Sequence, residues 1–437
     1  FGAVNPAPFY LFLPMNVQGE AMAGFNLDEL PKRPPRFRSR PADDGQYAEA
    51  AAMIAAAGRV TVKAGNGARG LPAAILDEFL DRCDAAFVHG PSIPGLLPRR
   101  HPRNMTVGGS KGSSCGNAVM AEADLVIVIG ARAVCQWDGS GTAWKGACAF
   151  ISVNTDARDA THYTRSLPLV GDAEAVIVRL LEELRALGVN RGAGASPWGG
   201  RLAALRAGWD EFLAGRCAVG SLEDPKFGRP LLTQPAALRT AIDFADRVGA
   251  IKYFDAGDVQ ANGFQLIEDD APGRTFSDTG ASYMGFAACG ILASAFADAP
   301  AYPIAFSGDG SFLMNPQPLV DAVQYGLRGM IVLLDNRRMA AISGLQRAQY
   351  GMEFRTDDGV EVDYVAMASS VRGVKAVSAG HDPASLEHAL EEAYGWRGLS
   401  LVHVPVYSGA DERGGLGAYG DWNVGPWCAR EIGRAHV

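Results

Sequence analysis

The segment AYPIAFSGDGSFLMN (Ala301–Asn315) places an acidic residue, Asp309, between two glycines directly after an apolar run. A helical pattern follows, and a second apolar run, MIVLLD, then ends at Asn336. We expect Asn315 to cap the intervening helix and Pro316 to occupy its first position, where the missing N–H costs nothing. Because a helix between two strands predicts neighbouring parallel strands, Asp309 and Asn336 should emerge at one edge of a sheet, where open α/β sheets bind ligands.

The two side chains at this edge suit a magnesium ion. Carboxylate and carboxamide oxygens are hard ligands, and Mg²⁺ in proteins usually takes one or two of them together with phosphate oxygens and water. Gly308 and Gly310 leave room for phosphate groups to approach backbone N–H groups at a helix N-terminus. The sequence therefore predicts a metal-bridged diphosphate at this edge.

The rest of the chain alternates between strand and helix patterns, which predicts βαβ units and an α/β fold of two Rossmann-like domains with mainly parallel sheets flanked by helices. The Pro- and Arg-rich segment near residue 35 and the Gly-rich segment near residue 195 are typical of linkers. We expect a strand-like N-terminal remnant of another domain at 1–23, a linker at 24–45, a central domain at 46–190, a linker region at 191–233, the diphosphate-binding domain at 234–410, a tail or lid at 411–430 and a non-native appendage at 431–437.

A second glycine-rich loop contains Gly65, Gly67 and Gly70 in the spacing of a dinucleotide fingerprint. That fingerprint also requires an acidic residue at the end of the next strand, which here ends in Val-His-Gly. We therefore prefer a tight strand-to-helix turn to a nicotinamide site.

Composition excludes several classes of function. A net charge of −8 gives no electrostatic basis for binding nucleic acid, and no apolar run approaches the roughly 18 to 20 residues of a membrane span. The seven cysteines are scattered and never form a CxxC pair, which is typical of reduced thiols rather than disulfides or a zinc site. We expect a cytoplasmic protein that acts on a small molecule, without nucleic-acid or membrane partners.

The glycine-flanked Asp309 and the distant Asn336 together resemble the thiamine diphosphate (ThDP) motif of the acetolactate synthase-like superfamily. The resemblance implies ThDP and Mg²⁺ as cofactors, without FAD, and implies that Asp309, Asn336 and the backbone carbonyl of Arg338 bind the metal. The family usually continues after the asparagine with a glycine-containing turn, whereas this chain has Arg337-Arg338-Met339-Ala340. We expect the two arginines to alter the charge at the mouth of the site.

The segment GASYMGFAACG, which contains Met284, resembles the part of the family that bends the cofactor, and DAGDV at 255–259 resembles a diphosphate-side loop. By that resemblance Met284 would wedge between the two cofactor rings, and the Ser282 carbonyl would accept a hydrogen bond from the 4'-amino group. Asp258 is a departure, because an anion beside a diphosphate is unfavourable unless it points away. Besides Asp309, Asn336 and Arg338, the implied cofactor-binding residues are Gly257, Asp258, Val259, Ser282, Met284, Gly308, Gly310 and Ser311.

Within this superfamily, the segments MEFRTDDGVEVDY at 352–364 and AYGDWNVG at 418–425 are similar to the trihydroxycyclohexanedione hydrolases of inositol breakdown. The resemblance implies ring-opening hydrolysis of a cyclic 1,2-dione. An acetolactate synthase-like carboligase, a 2-oxo acid decarboxylase, and a non-catalytic module or partner subunit remain alternatives. The implied catalytic residues are Met284, Gln346 and Arg355, and Asp357 and Trp422 are further candidates for substrate contacts.

The family's pyrimidine-binding domain carries the glutamate that protonates the cofactor, usually from a neighbouring subunit. The sequence resembles only the final strand of that domain, so we expect the chain by itself to be inactive. Because the ThDP site of this family lies between subunits, we expect a homodimer or homotetramer.

Overall fold

Two parallel β-sheets of six strands each form the framework of the chain. The computed structural model describes residues 11–30, 38–109, 112–192, 196–278, 282–357 and 359–416. The expected tail from residue 417, including Trp422, and the first ten residues lie outside the described residues. Residues 11–30 are exposed throughout and contain a 3-10 turn at Leu27–Glu29.

The strands of the first sheet are β1 Val60–Ala64, β2 Ala86–His89, β3 Asn104–Val107, β4 Leu125–Ile129, β5 Ala149–Asn154 and β6 Ser166–Val170. Its helices are α1 Asp44–Ala56, α2 Ala73–Cys83, α3 Ser114–Glu122, α4 Cys135–Asp138, α5 Ala157–Ala160 and α6 Ala173–Ala186. The strand order is β3-β2-β1-β4-β5-β6, and every neighbouring pair is parallel. The central strands β1 (VTVKA) and β4 (LVIVI) are buried at every position, as expected for strands covered by helices on both faces.

The expected linker region at 191–233 contains a helix of 21 residues, α7 Pro197–Cys217, and an antiparallel hairpin of β7 Ser221–Asp224 and β8 Arg229–Leu232. Trp198, Leu202, Trp209 and Leu213 recur at four- or seven-residue intervals and are buried on one face of α7. Glycines stand beside these apolar residues, and they hide the helical periodicity in the sequence. Most of the expected linker region is therefore regular structure that packs between the two sheets.

The strands of the second sheet are β9 Ile251–Phe254, β10 Thr275–Ser277, β11 Pro303–Gly308, β12 Gly329–Asp335, β13 Lys375–Ser378 and β14 Leu399–Pro405. Their order is β10-β9-β11-β12-β14-β13, and every neighbouring pair is parallel. Its helices are α8 Gln234–Arg247, α9 Asp258–Leu266, α10 Phe286–Gly290, α11 Asp309–Met314, α12 Pro318–Gln324, α13 Ala340–Tyr350, α14 Tyr364–Ser369 and α15 Pro383–Tyr394.

The path after β11 differs from the expectation. Asp309 itself begins the short helix α11, and the next helix, α12, begins at Pro318 rather than Pro316. Asn315 does not cap α12; its side chain accepts a hydrogen bond from the Gln317 N–H (3.3 Å) in the turn between the two helices. Helix α12 therefore begins at Pro318, because Asn315 and Pro316 form the turn before it.

Among the described residues, the buried apolar side chains form three cores. One lies within the first sheet and its helices, a second runs from the first sheet through α7 and α8 to the second sheet, and a third lies on the other face of the second sheet. Among the described residues, none of the helices combines the length and the apolar character that a membrane crossing requires.

Candidate functional site

Asp309 and Asn336 lie at the carboxyl-terminal edge of the second sheet. Strands β11 and β12 are paired with Gly308 opposite Leu334, so Asp309 and Asn336 each follow the end of one of two adjacent strands. Both residues are buried, with exposed fractions of 4% and 7%. The strand pairing therefore places the two residues at the ends of adjacent strands, at one edge of the sheet.

The donor atoms at this edge fit a magnesium ion. The amide oxygen of Asn336 accepts a hydrogen bond from the Arg338 N–H (3.1 Å), which holds the side chain in a turn. A carbonyl oxygen has two lone pairs, so this bond leaves one available for a metal. The Asn336 amide oxygen and the Asp309 carboxylate together form a set of oxygen ligands of the kind that Mg²⁺ prefers.

Two helix N-termini meet beside this pair. Helix α9 begins after Gly257, whose φ of +88° favours glycine, and a Cβ placed there would find no atom within 4 Å. Val259 in its first turn lies against Gly308, 3.7 Å from where a Cβ of that glycine would be. Gly308 precedes α11, whose first turn contains Asp309, Gly310 and Ser311. Backbone N–H groups and unfilled space are thus available for an anion at the edge that presents the two oxygen ligands.

Met284 lies over the loop that carries Asp309. Its Cε is 3.5 Å from the position of a Cβ on Gly310, and its side chain is half-buried. Ser282 has a φ of +56°, a conformation that non-glycine residues adopt rarely and mostly at turns or functional sites. The structure brings the expected Met284 segment to the expected edge, while residues 279–281 lie outside its description.

A buried carboxylate that the sequence analysis left without a role, Asp255, joins three parts of this edge. It follows β9, and its Oδ1 accepts a hydrogen bond from the Gly285 N–H (2.7 Å) while its Oδ2 accepts one from Ser307 Oγ (2.7 Å). Burial raises the pKa of the Asp255 carboxyl above its ordinary value, although these hydrogen bonds oppose the shift. The sequence signal that could have identified it is an acidic residue directly after the apolar strand pattern IKYF at 251–254.

The turn after Asn336 is held by ion pairs. Arg337 has a φ of +50°, pairs with Glu361 (2.8 Å) and stacks over the Phe227 ring at 4.0 Å. Arg338 pairs with Glu353 and donates to the Ser408 carbonyl (2.6 Å). Each of the two guanidinium groups therefore has a carboxylate partner, and Glu353 is shared between Arg338 and Arg347.

The other substrate candidates lie in the segment after α13. The Gln346 side chain accepts from the Phe354 N–H (2.8 Å) and donates to its carbonyl (3.3 Å), so it shapes this segment. Arg355 is exposed with a φ of +49°, and Asp357 is exposed and pairs with Lys226 (3.2 Å). The Met339 N–H donates to the Thr356 carbonyl (2.8 Å), which joins the segment to the turn after Asn336.

The corresponding edge of the first sheet is closed. A Cβ on Gly65 would lie 2.6 Å from the Gly130 carbonyl oxygen, and one on Gly67 would lie 2.7 Å from the Gly130 Cα. The loops after β1 and β4 are therefore in direct backbone contact. This confirms the tight-turn interpretation of the first glycine loop.

A polar cluster is buried beneath that closed edge. Asp138 Oδ2 accepts hydrogen bonds from Lys63 Nζ (2.5 Å), Tyr163 Oη (2.6 Å) and Trp144 Nε1 (3.2 Å), and Oδ1 accepts two from backbone N–H groups. Lys63 also donates to Tyr163 (2.8 Å) and to the Arg132 carbonyl (2.9 Å). Burial lowers the pKa of the Lys63 ammonium, while Asp138 opposes that shift. The cluster supports this edge with its polar groups already paired.

Profiles of two protein domains match the chain at the two sheets. One, described as "Thiamine pyrophosphate enzyme, C-terminal TPP binding domain", matches residues 255–404, and the other, described as "Thiamine pyrophosphate enzyme, central domain", matches residues 47–180. The chain belongs to the thiamine pyrophosphate enzymes. Thiamine pyrophosphate is ThDP under its other name, so the family and the α/β fold predicted from the sequence are confirmed.

Relatives of this thiamine pyrophosphate enzyme have two kinds of name. A 3D-(3,5/4)-trihydroxycyclohexane-1,2-dione hydrolase from Lacticaseibacillus casei is 26% identical over 455 residues, covering 96% of this chain and 68% of the relative. A protein of the same name from Listeria monocytogenes serotype 4b (strain F2365) is also 26% identical, with the same coverage. Acetolactate synthase isozyme 1 large subunit from Escherichia coli (strain K12) is 24% identical over 405 residues, covering 92% of this chain and 67% of the relative.

Proposed function

We propose that this thiamine pyrophosphate enzyme uses ThDP and Mg²⁺ to cleave a C–C bond next to a carbonyl, by ring-opening hydrolysis of a trihydroxycyclohexane-1,2-dione. The observation that carries the proposal is the pair of buried oxygen ligands, Asp309 and Asn336, on adjacent strand ends beside two helix N-termini. The names of the L. casei and L. monocytogenes relatives support the choice of substrate.

In this proposal the chain's own residues hold and orient the cofactor. Asp309, Asn336 and the Arg338 carbonyl would bind the metal, and the first turns of α9 and α11 would donate N–H groups to the diphosphate. Met284 would support the bent form of the cofactor from its position over Gly310. When bound, ThDP supplies a nucleophilic carbon and an electron sink, which no side chain provides.

Substrate recognition falls to the segment that packs against the turn after Asn336. Arg355 is exposed and can donate to a hydroxyl or a developing carboxylate, whereas Gln346 fixes the Phe354 backbone beside it. Asp357, through its pair with Lys226, would help to hold the segment in place.

We also propose a homodimer or homotetramer, and we propose that a pyrimidine-binding domain, of which this sequence resembles only the final strand, supplies the glutamate that the family uses to protonate the cofactor. This part of the proposal rests on the resemblance to the family.

The alternative is an acetolactate synthase-like carboligase, which the E. coli relative favours. Members of that group usually bind FAD through the central domain. Here the loops after β1 and β4 are in backbone contact at the usual dinucleotide crevice of this sheet, which argues against a dinucleotide between them. A flavin absorbance band in the purified protein would favour the carboligase.

The test is an assay of the protein loaded with ThDP and Mg²⁺, with the cyclic dione or with pyruvate as substrate. Each assay is run with the chain alone and with a separately produced pyrimidine-binding domain of the family, because the glutamate is expected from that domain. Consumption of the dione with formation of an acid, lost in Asp309→Ala, is the expected result. Formation of acetolactate from pyruvate, with the dione unchanged, would contradict it.

A further inference from the structure

A cavity of about 340 Å³ lies away from the cofactor edge, between α7, α8 and the segment before β3. Its charged lining consists of four arginines and two carboxylates: Arg99, Arg100, Arg206, Arg239, Asp210 and Glu268. The volume lies within the range of small-molecule sites, and the lining has an excess of positive charge.

Arg99, in the wall of this cavity, has an unpaired donor. Its side chain is 8% exposed, and Nη2 pairs with Asp210 Oδ1 at 3.1 Å. Nη1 is buried and finds no acceptor among the described residues. Leaving a charged donor buried and unpaired is costly, so a group of this kind indicates a missing acceptor.

The other arginines differ in how firmly they are held. Arg206 donates to the Asn104 carbonyl (2.5 Å) and the Arg99 carbonyl (2.9 Å), and it pairs with Asp210 (3.0 Å). Arg239 pairs at the longer distance of 3.4 Å with Glu268 and with Asp243. Arg100 is exposed at the rim. Arg206 therefore fixes the wall, while the other guanidinium groups can turn toward an anion.

We propose that this cavity binds the phosphate group of a small phosphate monoester, with Arg99 turning its unpaired Nη1 donor toward the anion and Arg100 and Arg239 closing on it. Guanidinium groups match phosphate oxygens in charge and geometry. Arg99 and Arg100 belong to the first sheet's connections, whereas Arg239 belongs to α8 of the second half. A bound phosphate would therefore link the two halves of the chain and stabilise their packing.

The test is calorimetric titration of the full chain with inorganic phosphate and with glycerol phosphate, at constant ionic strength with chloride as the control anion. We expect saturable binding, tighter for the monoester, and a rise in Tm that chloride does not reproduce. Arg99→Met and Arg239→Gln should each weaken binding by roughly tenfold or more. Arg158→Gln, at an arginine with an 89% exposed side chain, is the matched control and should bind as the wild type does.

Absence of saturable binding, or equal affinity in the wild type and the Arg99 and Arg239 variants, would overturn the proposal. If Arg99→Met does not fold, Arg100→Gln replaces it in the test, because Arg100 is exposed and its substitution should not disturb folding. Unchanged affinity in Arg100→Gln and Arg239→Gln together would then reject the site.

Discussion

The two sheets have the same parallel architecture and glycine-rich loops at their carboxyl-terminal edges, but only one edge is open. In the first sheet the loops after β1 and β4 touch through Gly67 and Gly130, above a buried cluster whose polar groups are paired. In the second sheet Gly257 borders open space, and Asp309 and Asn336 offer oxygen ligands. A glycine-rich turn therefore marks a ligand site only when its neighbours leave space and supply ligands.

We expect the largest loss of folding stability from a substitution in the buried polar cluster of the first sheet. Asp138→Ala leaves the Lys63 ammonium buried without its carboxylate, which should lower the free energy of unfolding by roughly 3–5 kcal/mol. Denaturant unfolding measures the loss. Glu387→Ala, which breaks a half-exposed pair with Arg247, should cost much less. Equal losses in the two variants would show that the cluster does not support the closed edge.

The closed edge can also be tested at its glycines. Gly130 and Gly228 have similar φ values of +56° and +64°, but a Cβ on Gly130 would lie 2.4 Å from the Gly67 carbonyl carbon, whereas one on Gly228 meets no atom within 4 Å. Gly228→Ala should cost about 1 kcal/mol from backbone strain alone. Gly130→Ala should cost about 1–3 kcal/mol more, because the loops must separate. Equal Tm values for the two variants would argue against the close contact.

The open edge should show a pH dependence that originates at Asp255. Because burial raises its pKa in the folded state, the folded protein binds a proton more readily than the unfolded chain, and stability declines as pH rises through the folded pKa. The stability advantage of the wild type over Asp255→Asn should therefore be larger at pH 4 than at pH 7. Denaturant unfolding with EDTA present measures it. An advantage that grows with pH would contradict the assigned direction.

We expect the smallest difference in folding stability from substitutions in the turn after Asn336. Arg337 occupies a left-handed conformation that favours glycine, so Arg337→Gly relieves strain while Arg337→Ala retains it. Both variants lose the pair with Glu361, which makes each the control for the other. Arg337→Gly should be about 1 kcal/mol more stable than Arg337→Ala in thermal unfolding. Equal stability would mean that the turn is unstrained.

The sequence predicted the two sheets and the meeting of Asp309 with Asn336 because both follow from local patterns. Apolar runs separated by helices specify parallel strands, and parallel strands place their ends at one edge. Helix α7 was missed because glycines flank and interrupt its apolar positions, so composition suggested a linker. The start of α12 was misplaced because two prolines compete for the first helical position.

Other features depend on contacts between distant segments. The role of Asp255 becomes visible only when β9, β11 and the Met284 segment are side by side, and the pairing of Arg338 with Glu353 requires the folded turn. The cavity around Arg99 likewise joins segments that are far apart in the sequence, since Arg99 pairs with Asp210 of α7.

We expect the cofactor to bind at the edge carrying Asp309 and not at the closed edge. The most direct test is isothermal titration of ThDP into the wild type with Mg²⁺ or with EDTA, beside Asp309→Ala and the matched control Asn66→Ala in the exposed turn of the first sheet. We expect binding that requires Mg²⁺, weakens by roughly a hundredfold or more in Asp309→Ala, and is unchanged in Asn66→Ala. Binding that is independent of Mg²⁺, or equally tight in Asp309→Ala, would contradict it.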